Sequence, residues 1–306
     1  MKKDIEILVL GSINMDLVTE TERNPLPGET IKSKSFKTSP GGKGDNQAVA
    51  IARLGGDVVF AGCVGNDQYG EQLIDNLIAN GIEADYVKKL SDINTGMAFI
   101  NVFKGQNTII LYEGANGCVT TENMMHCEEL IKRSQILLMQ LEIPVETIKW
   151  AAAVAEANET MVILNPAPAL ALDNEIYKYV DILVPNEVEA QQLSGIEIKN
   201  DSDYERIISR FRNMGVKEVI ITLGDKGALY GNGSIMKRTP AYNVDAVDST
   251  GAGDAFIGGL CFALSHDRPM DKALKYASAV AAISVTRMGA QSALPTAYEV
   301  EEFFSA

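Results

Sequence analysis

Short apolar runs rich in β-branched residues alternate with longer amphipathic segments along most of this chain, and that alternation constrains the fold more than any other feature. The runs at 5–10, 58–62, 136–141, 161–164, 182–184, 218–222 and 228–231 read as strands. The segments at 44–54, 69–80, 122–133, 145–157, 187–193, 202–214, 252–264, 270–287 and 298–304 read as helices. Parallel neighbours need crossover connections, usually helices, and strands buried on both faces read as continuous apolar runs. The pattern therefore predicts an α/β fold: a central, mostly parallel sheet with helices on both faces. Residues 12–39 and 94–113 depart from it, with turn-punctuated runs at 31–36, 97–103 and 108–112 and no crossover helix. They predict a small antiparallel excursion that serves as a lid. No repeat or Pro/Gly/Ser linker divides residues 1–306, so a single domain is expected.

Charge excludes some classes of partner. The chain has 27 Lys+Arg against 41 Asp+Glu, a formal charge of −14. Phosphate backbones and anionic membranes are bound by a basic excess, so neither nucleic acid nor a membrane surface is an expected partner. No apolar run reaches the ~18 residues of a transmembrane helix, and the first apolar stretch is interrupted by Glu6. Cys63, Cys118, Cys127 and Cys261 form no CxxC, and His126 and His266 form no metal-binding pair. Reduced thiols and a cytoplasmic location are the expectation. With two histidines in the chain, acid–base chemistry falls to carboxylates or lysine.

Asp248-Ser249-Thr250-Gly251-Ala252-Gly253-Asp254 is the strongest chemical signal. Small residues before a helix let main-chain N–H groups converge on an anion such as a phosphoryl group, and Asp254 falls beside that pocket. An ordinary N-cap in a tight turn explains the same residues equally well. Neither GxxxxGK[ST] nor GxGxxG is present, so P-loop and dinucleotide fingerprints are absent. A second glycine cluster, Pro40-Gly41-Gly42-Lys43-Gly44-Asp45-Asn46-Gln47, also opens a helix. There Lys43 and Asn46 offer donors to hydroxyl or phosphate oxygens, although a flexible loop with a solvated lysine is the simpler reading. Asn14 and Asp16 follow the first strand and Glu142 follows another apolar run. Ligands of open α/β sheets gather at the carboxyl ends of strands, and an amide with carboxylates suits a polyol. Asn165-Pro166-Ala167-Pro168, Pro185-Asn186-Glu187-Val188-Glu189 and the segment from Thr222 to Gly227 lie at other predicted strand ends.

In this order, from Gly11-Ser12-Ile13-Asn14-Met15-Asp16 to Met288-Gly289-Ala290-Gln291, these segments resemble the ribokinase family of carbohydrate kinases, the phosphofructokinase-B type. The resemblance implies a ribokinase-like three-layer α/β/α sandwich with a small β-sheet lid that pairs two subunits into a homodimer. It implies ATP-dependent phosphorylation of the 5-hydroxyl of D-ribose, giving D-ribose 5-phosphate and ADP. Sibling kinases of 2-deoxyribose, another sugar or a nucleoside are the alternatives, and a non-catalytic sugar-binding regulator is a further one.

Carried over by motif, the resemblance makes Asp254 the catalytic base. It makes Asn14, Asp16, Gly42, Lys43, Asn46 and Glu142 sugar contacts. Asn186, Thr222, Gly224, Gly227, Gly253 and Ser278 become ATP contacts, with Gly251, Ala252 and Gly253 as the anion hole. Glu189 falls in an Asn-x-x-Glu motif tied to Mg2+ and phosphate. Asp248, Thr250, Ser284, Arg287 and Gly289 match a monovalent-cation (K+) site. Three residues depart from the family pattern: Asp45 where Ala is common, Met97 where Val is expected, and Ala293 for a Ser near the cation, with Ser292 adjacent.

Overall fold

The computed structural model describes residues 3–104 and 106–305. Its first half holds β1 (Ile5–Leu10), β2 (Asn14–Glu20), β3 (Ser35–Gly41), α1 (Lys43–Arg53), β4 (Val58–Gly65), α2 (Gln68–Ala79), β5 (Glu83–Leu90), β6 (Gly96–Phe103) and β7 (Gln106–Tyr112). Then come α3 (Thr121–Met124), α4 (Glu128–Arg133), β8 (Ser134–Gln140), α5 (Val145–Glu156), β9 (Met161–Asn165), β10 (Ile182–Leu183), α6 (Glu187–Ser194) and α7 (Asp201–Met214). The chain ends with β11 (Glu218–Thr222), β12 (Ala228–Gly231), β13 (Met236–Thr239), α8 (Ala252–Ser265), α9 (Met270–Ser284) and α10 (Ala297–Ser305). No described helix is long and apolar enough to cross a membrane.

The larger sheet has the order β13-β12-β11-β10-β9-β8-β1-β4-β5. Every pairing from β5 to β11 is parallel, and β12 and β13 add antiparallel. β1 lies inside it, with Ile7 opposite Val58 on one side and Ile136 on the other. Its side chains alternate between two cores, as a period of two requires. Ile7 and Val9 pack with Ala48, Leu260 and Ala277 of α1, α8 and α9. Leu8 and Leu10 pack with Ile131, Ile148 and Phe211 of α4, α5 and α7. Helices thus cover both faces, which is the expected three-layer α/β/α arrangement.

The second sheet runs β3-β2-β6-β7. The sequence predicts antiparallel strands here, and the outer pairs are antiparallel, but the central pair β2–β6 is parallel, with Asn14 opposite Gly96. The strand predicted at 31–36 lies instead at Ser35–Gly41. The helix predicted at 122–133 is broken between α3 and α4 by a short 3-10 turn at Met125–Cys127.

α8 is wedged between α1 and α9. A Cβ on Gly258 would lie 2.4 Å from Ala50 Cβ, and one on Gly259 would lie 2.9 Å from Val280 Cγ2. Only hydrogen at these positions lets the three helices close. Residues four apart share a helix face, so Asp254 points the same way as Gly258, towards α1. On α1, Asn46 and Gln47 share a face with Ala50 for the same reason. The Gly258–Ala50 contact therefore brings the first turn of α8 against the first turn of α1.

Candidate functional site

Asp254 sits in that first turn, 8% exposed. Gln47 Nε2 donates to its Oδ1 at 2.9 Å, and Asn46 Nδ2 donates to its Oδ2 at 3.1 Å. Gln47 is itself held, because its Nε2 also reaches Asn165 Oδ1 (3.1 Å) and its Oε1 accepts from Gln140 Nε2 at 2.6 Å. Asn165 Nδ2 closes the chain on the Val184 carbonyl. A buried amide relay from the ends of β8 and β9 therefore fixes the carboxylate. Gln47, Gln140 and Asn165 were not among the expected contact residues.

α8 begins after Gly251, whose φ of +75° is left-handed and costs glycine little. The Ala252 amide donates to the Ser249 carbonyl at 3.2 Å. The Gly253 amide has no acceptor among the described residues, and a Cβ on Gly253 would meet nothing within 4 Å. An unbonded N–H thus sits at the positive end of a helix, on a residue that lines open space, which is the chemistry an anionic oxygen needs. Of the expected anion hole, the Gly253 amide is open and that of Ala252 is shared.

Two connected clefts meet here. The first, of about 210 Å3, gathers Lys43, Asn165, Asn186, Glu189, Thr222, Gly251, Ala252, Gly253 and Asp254. The second, of about 410 Å3, shares Thr222, Ser249, Ala252 and Gly253 with it and continues past Gly224 and Gly227 to Tyr242, Phe256 and Ser278. Polar groups dominate the first and apolar side chains the second, a division that suits a phosphate chain followed by a flat base. Ser278 Oγ is buried with no hydrogen-bond partner among the described residues, so a donor or acceptor is available in the second cleft.

Charge in the first cleft is concentrated. Burial works to lower the pKa of Lys43, but the carboxylates of Asp254, Glu142 and Glu189 outweigh it and hold the ammonium above its usual value. Burial and the Asp254 charge leave Glu189 raised, although Asn186 and Lys43 favour its ionised form. Asn186 and Glu189 also form the capping box of α6, the amide oxygen accepting from the Glu189 N–H and Glu189 Oε2 from the Asn186 N–H. Hard carboxylate and amide oxygens beside a phosphate-sized space fit Mg2+.

The expected sugar contacts lie beside Asp254 on the β1 side. Glu142 Oε2 accepts from Ser12 Oγ at 2.6 Å and the Lys43 N–H at 3.1 Å, tying the glycine-rich turn to the end of β1. Gly42 has φ +92°, and a Cβ there would lie 2.9 Å from Ile13 Cα and Asn14 N. Asp16 turns its carboxylate over Gly41, where a Cβ would lie 2.4 Å from Oδ2. Burial, then Glu142 and Asp254, push Asp16 up to about 7. Asn116 Nδ2 donates to the Asn14 amide oxygen at 2.6 Å, a partner the sequence pattern does not reveal. Asn46 Oδ1 is buried with no partner among the described residues, an acceptor left free beside Asp254.

Asp248 accepts from the Thr250 N–H and Oγ1 and, through Oδ2, from the Gly289 N–H at 2.8 Å. Burial raises its pKa, but those donors outweigh it and leave the carboxylate below its usual range. Ser284 Oγ donates to the Ala281 carbonyl, and Arg287 pairs with Glu299. Asp248, Thr250 and Gly289 are thus joined, while Ser284 and Arg287 turn their side chains elsewhere. The Asp248 carboxylate, a hard oxygen donor of the kind an alkali cation takes, is thus held between Thr250 and Gly289.

Residues 4–297 match the pfkB family carbohydrate kinases. The chain belongs to this family. A ribokinase of Haemophilus influenzae is 41% identical over 298 residues, covering 97% of each chain. A deoxyribokinase of Salmonella typhimurium is 37% identical over 307 residues, covering 98% of this chain and 99% of that one. The solved structure of Arabidopsis thaliana ribokinase complexed with ribose and ATP is 30% identical, superposes with a TM-score of 0.92 and covers all of both chains. The pfkB membership makes the chain a carbohydrate kinase, so the two clefts at the start of α8 belong to a phosphotransferase.

Proposed function

We propose that the chain transfers the γ-phosphoryl group of ATP to the 5-hydroxyl of D-ribose, giving D-ribose 5-phosphate and ADP. The observation that carries this reading is Asp254 beside the open Gly253 amide at the start of α8. Asp254 orients the sugar hydroxyl between the two donors that fix its own carboxylate. As the hydroxyl oxygen bonds to phosphorus, the bond from phosphorus to the β–γ bridging oxygen breaks and ADP departs. The hydroxyl proton passes to Asp254 and then to solvent. A loose transition state delays proton departure, so orientation outweighs basicity. The Gly253 N–H, at the positive helix end, stabilises charge on the transferring oxygens.

Lys43 neutralises phosphate charge from the other wall. Glu189 and Asn186 would hold Mg2+ through water, and the ion supplies charge neutralisation on the phosphates. Thr222, Gly224, Gly227 and Ser278 take the nucleotide in the second cleft. Asp248, Thr250 and the carbonyls near Ser284, Arg287 and Gly289 would hold K+, with the Asp248 carboxylate already bracing Gly289.

Asp16, Asn14, Gly42, Asn46 and Glu142 form the sugar side. A carboxylate that grips adjacent hydroxyls favours ribose over 2-deoxyribose, because the missing hydroxyl leaves a buried acceptor unpaired. The smaller sheet closes over this side as a lid. Its outer residues Phe36, Phe99 and Ile110 are 63%, 45% and 68% exposed and border an apolar depression of about 460 Å3. Covering that surface with a second copy gives the homodimer. Free cysteines, three of the four buried, fit a reducing cytoplasm.

ADP release is measured with ribose, 2-deoxyribose, fructose and adenosine in turn. Ribose is expected to lead 2-deoxyribose by about 10²-fold in kcat/KM, the worth of one hydrogen bond to a charged group. Equal values would overturn the preference for ribose and favour a kinase of 2-deoxyribose. No release with any sugar would refute the kinase reading.

A further inference from the structure

We infer that Asp45 is a positioning residue for phosphoryl transfer, acting through Gln291 to lock the start of α1 to the turn that braces the start of α8. The inference rests on the reading of the clefts as a kinase site. Three consecutive residues of α1 reach out in two directions. Asn46 and Gln47 hold Asp254. Asp45 Oδ2 accepts from Gln291 Nε2 at 2.7 Å, across 246 residues of sequence. Gln291 is held from behind, its Oε1 accepting from Asn76 Nδ2 of α2 at 2.9 Å.

The turn that carries Gln291 is in turn fixed to the loop before α8. The Gly289 N–H donates to Asp248 Oδ2 at 2.8 Å. A Cβ on Gly251 would lie 3.1 Å from Ala290 Cα, so the two residues lie in contact. The connections close a ring: α1, the Gly289–Gln291 turn, the Asp248–Gly251 loop, α8 and back through Asp254 to α1. Asp45 and Asp254 are the two points where α1 joins that ring. One sets the donors on the carboxylate, and the other sets where the anion-binding end of α8 lies relative to them.

Asp45 is costly for a purely structural residue. It is fully buried, and its Oδ1 has no hydrogen-bond partner among the described residues. Burying a carboxyl with one oxygen unpaired is unfavourable, and an apolar side chain would fill the same space at lower cost. What the carboxyl alone provides is an acceptor for Gln291.

The test is kinetic, read with whichever sugar the wild-type protein phosphorylates, so a different sugar would revise the substrate without touching Asp45. Asp45→Ala is expected to lower kcat about tenfold while the KM for ATP moves less than about twofold. Asp45→Asn keeps an oxygen for Gln291 and is expected to restore kcat to within about twofold of wild type. In the double variant Asp45→Ala/Gln291→Ala the loss is expected to equal that of either single variant, because both remove one contact. If Asp45→Ala does not fold, Gln291→Ala alone carries the comparison and is expected to show the same kcat loss with unchanged ATP KM. Wild-type kcat in the variants, multiplying losses in the double variant, or no recovery with Asn would each overturn the inference. Absence of turnover with every sugar would remove the kinase reading and this inference together.

Discussion

Gln47 Nε2 donates to Asp254 Oδ1 at 2.9 Å although the two residues are 207 positions apart in sequence. The bond exists because Gly258 lets α8 approach Ala50 of α1, and both side chains lie one turn before that contact. Helix packing thus sets the position of the reactive carboxylate. Gln47→Met keeps the length of the side chain and removes the donor. It is expected to lower kcat about tenfold or more, the worth of a hydrogen bond to a charged group, with retained helical circular dichroism. Unchanged kcat would mean that Asn46 alone orients Asp254.

Asp16 stands at about 7 because burial and the Glu142 and Asp254 carboxylates oppose its ionisation. An ionised Asp16 accepts from two hydroxyls, whereas a protonated one must give up an acceptor site. Ribose KM is therefore expected to fall as pH rises through about 7 and to lose that dependence in Asp16→Asn. A KM profile of the same shape in both proteins would assign the titration to another group.

Asp45 is pushed up to about 8, by burial first and the nearby Asp16 charge, against the Gln291 hydrogen bond that favours ionisation. Its ordinary value is 3.8. A folded-state value above the unfolded one means that the folded form holds the proton more tightly. The associated stability is complete below about 4 and is lost as pH rises to about 8. Thermal melts from pH 5 to 8 are expected to fall more steeply for the wild-type protein than for Asp45→Asn. Parallel curves would show that Asp45 ionises freely in the fold.

The parallel core was legible in the sequence because strands such as β1 are buried on both faces and read as unbroken apolar runs. β5 (EADYVKKL) was missed because it is an edge strand that buries only Ala84 and Val87, so its charges read as loop. β13 (MKRT) was missed for the same reason. The parallel β2–β6 pairing escaped notice because strand direction depends on which distant segments meet, and no local pattern records it. Asp254, Lys43 and Glu189 were visible as motif residues, and the cleft brings them together. Gln47, Asn165 and Gln291 lie inside motifs of the sequence but carry no expected role there, since a buried amide on a helix or turn has the same local sequence as a solvated one.

Gly42→Ala places a methyl 2.9 Å from the main chain of Ile13 and Asn14 at φ +92°. Gly28 has φ +83° but open space around it. Gly42→Ala is expected to cost more than about 1 kcal/mol and to raise ribose KM strongly, while Gly28→Ala carries only the backbone term. Comparable melting temperatures and KM values for the two would remove the steric argument for the sugar loop.

If two copies pair through the smaller sheet as proposed, the wild-type protein is expected to scatter light as a dimer and Ile110→Asp as a monomer, since a charge in a desolvated apolar interface is unpaired. A wild-type protein that is already monomeric would refute the homodimer, and a variant that stays dimeric would place the partner surface elsewhere.

The most direct test compares ADP release by the wild-type protein and Asp254→Asn at saturating ATP and ribose, with ribose binding measured alongside. A fall in turnover of about 10²-fold or more, with ribose still bound, is the predicted result for a proton acceptor that also orients the hydroxyl. Turnover within about twofold of wild type would contradict the assignment of Asp254 as the base.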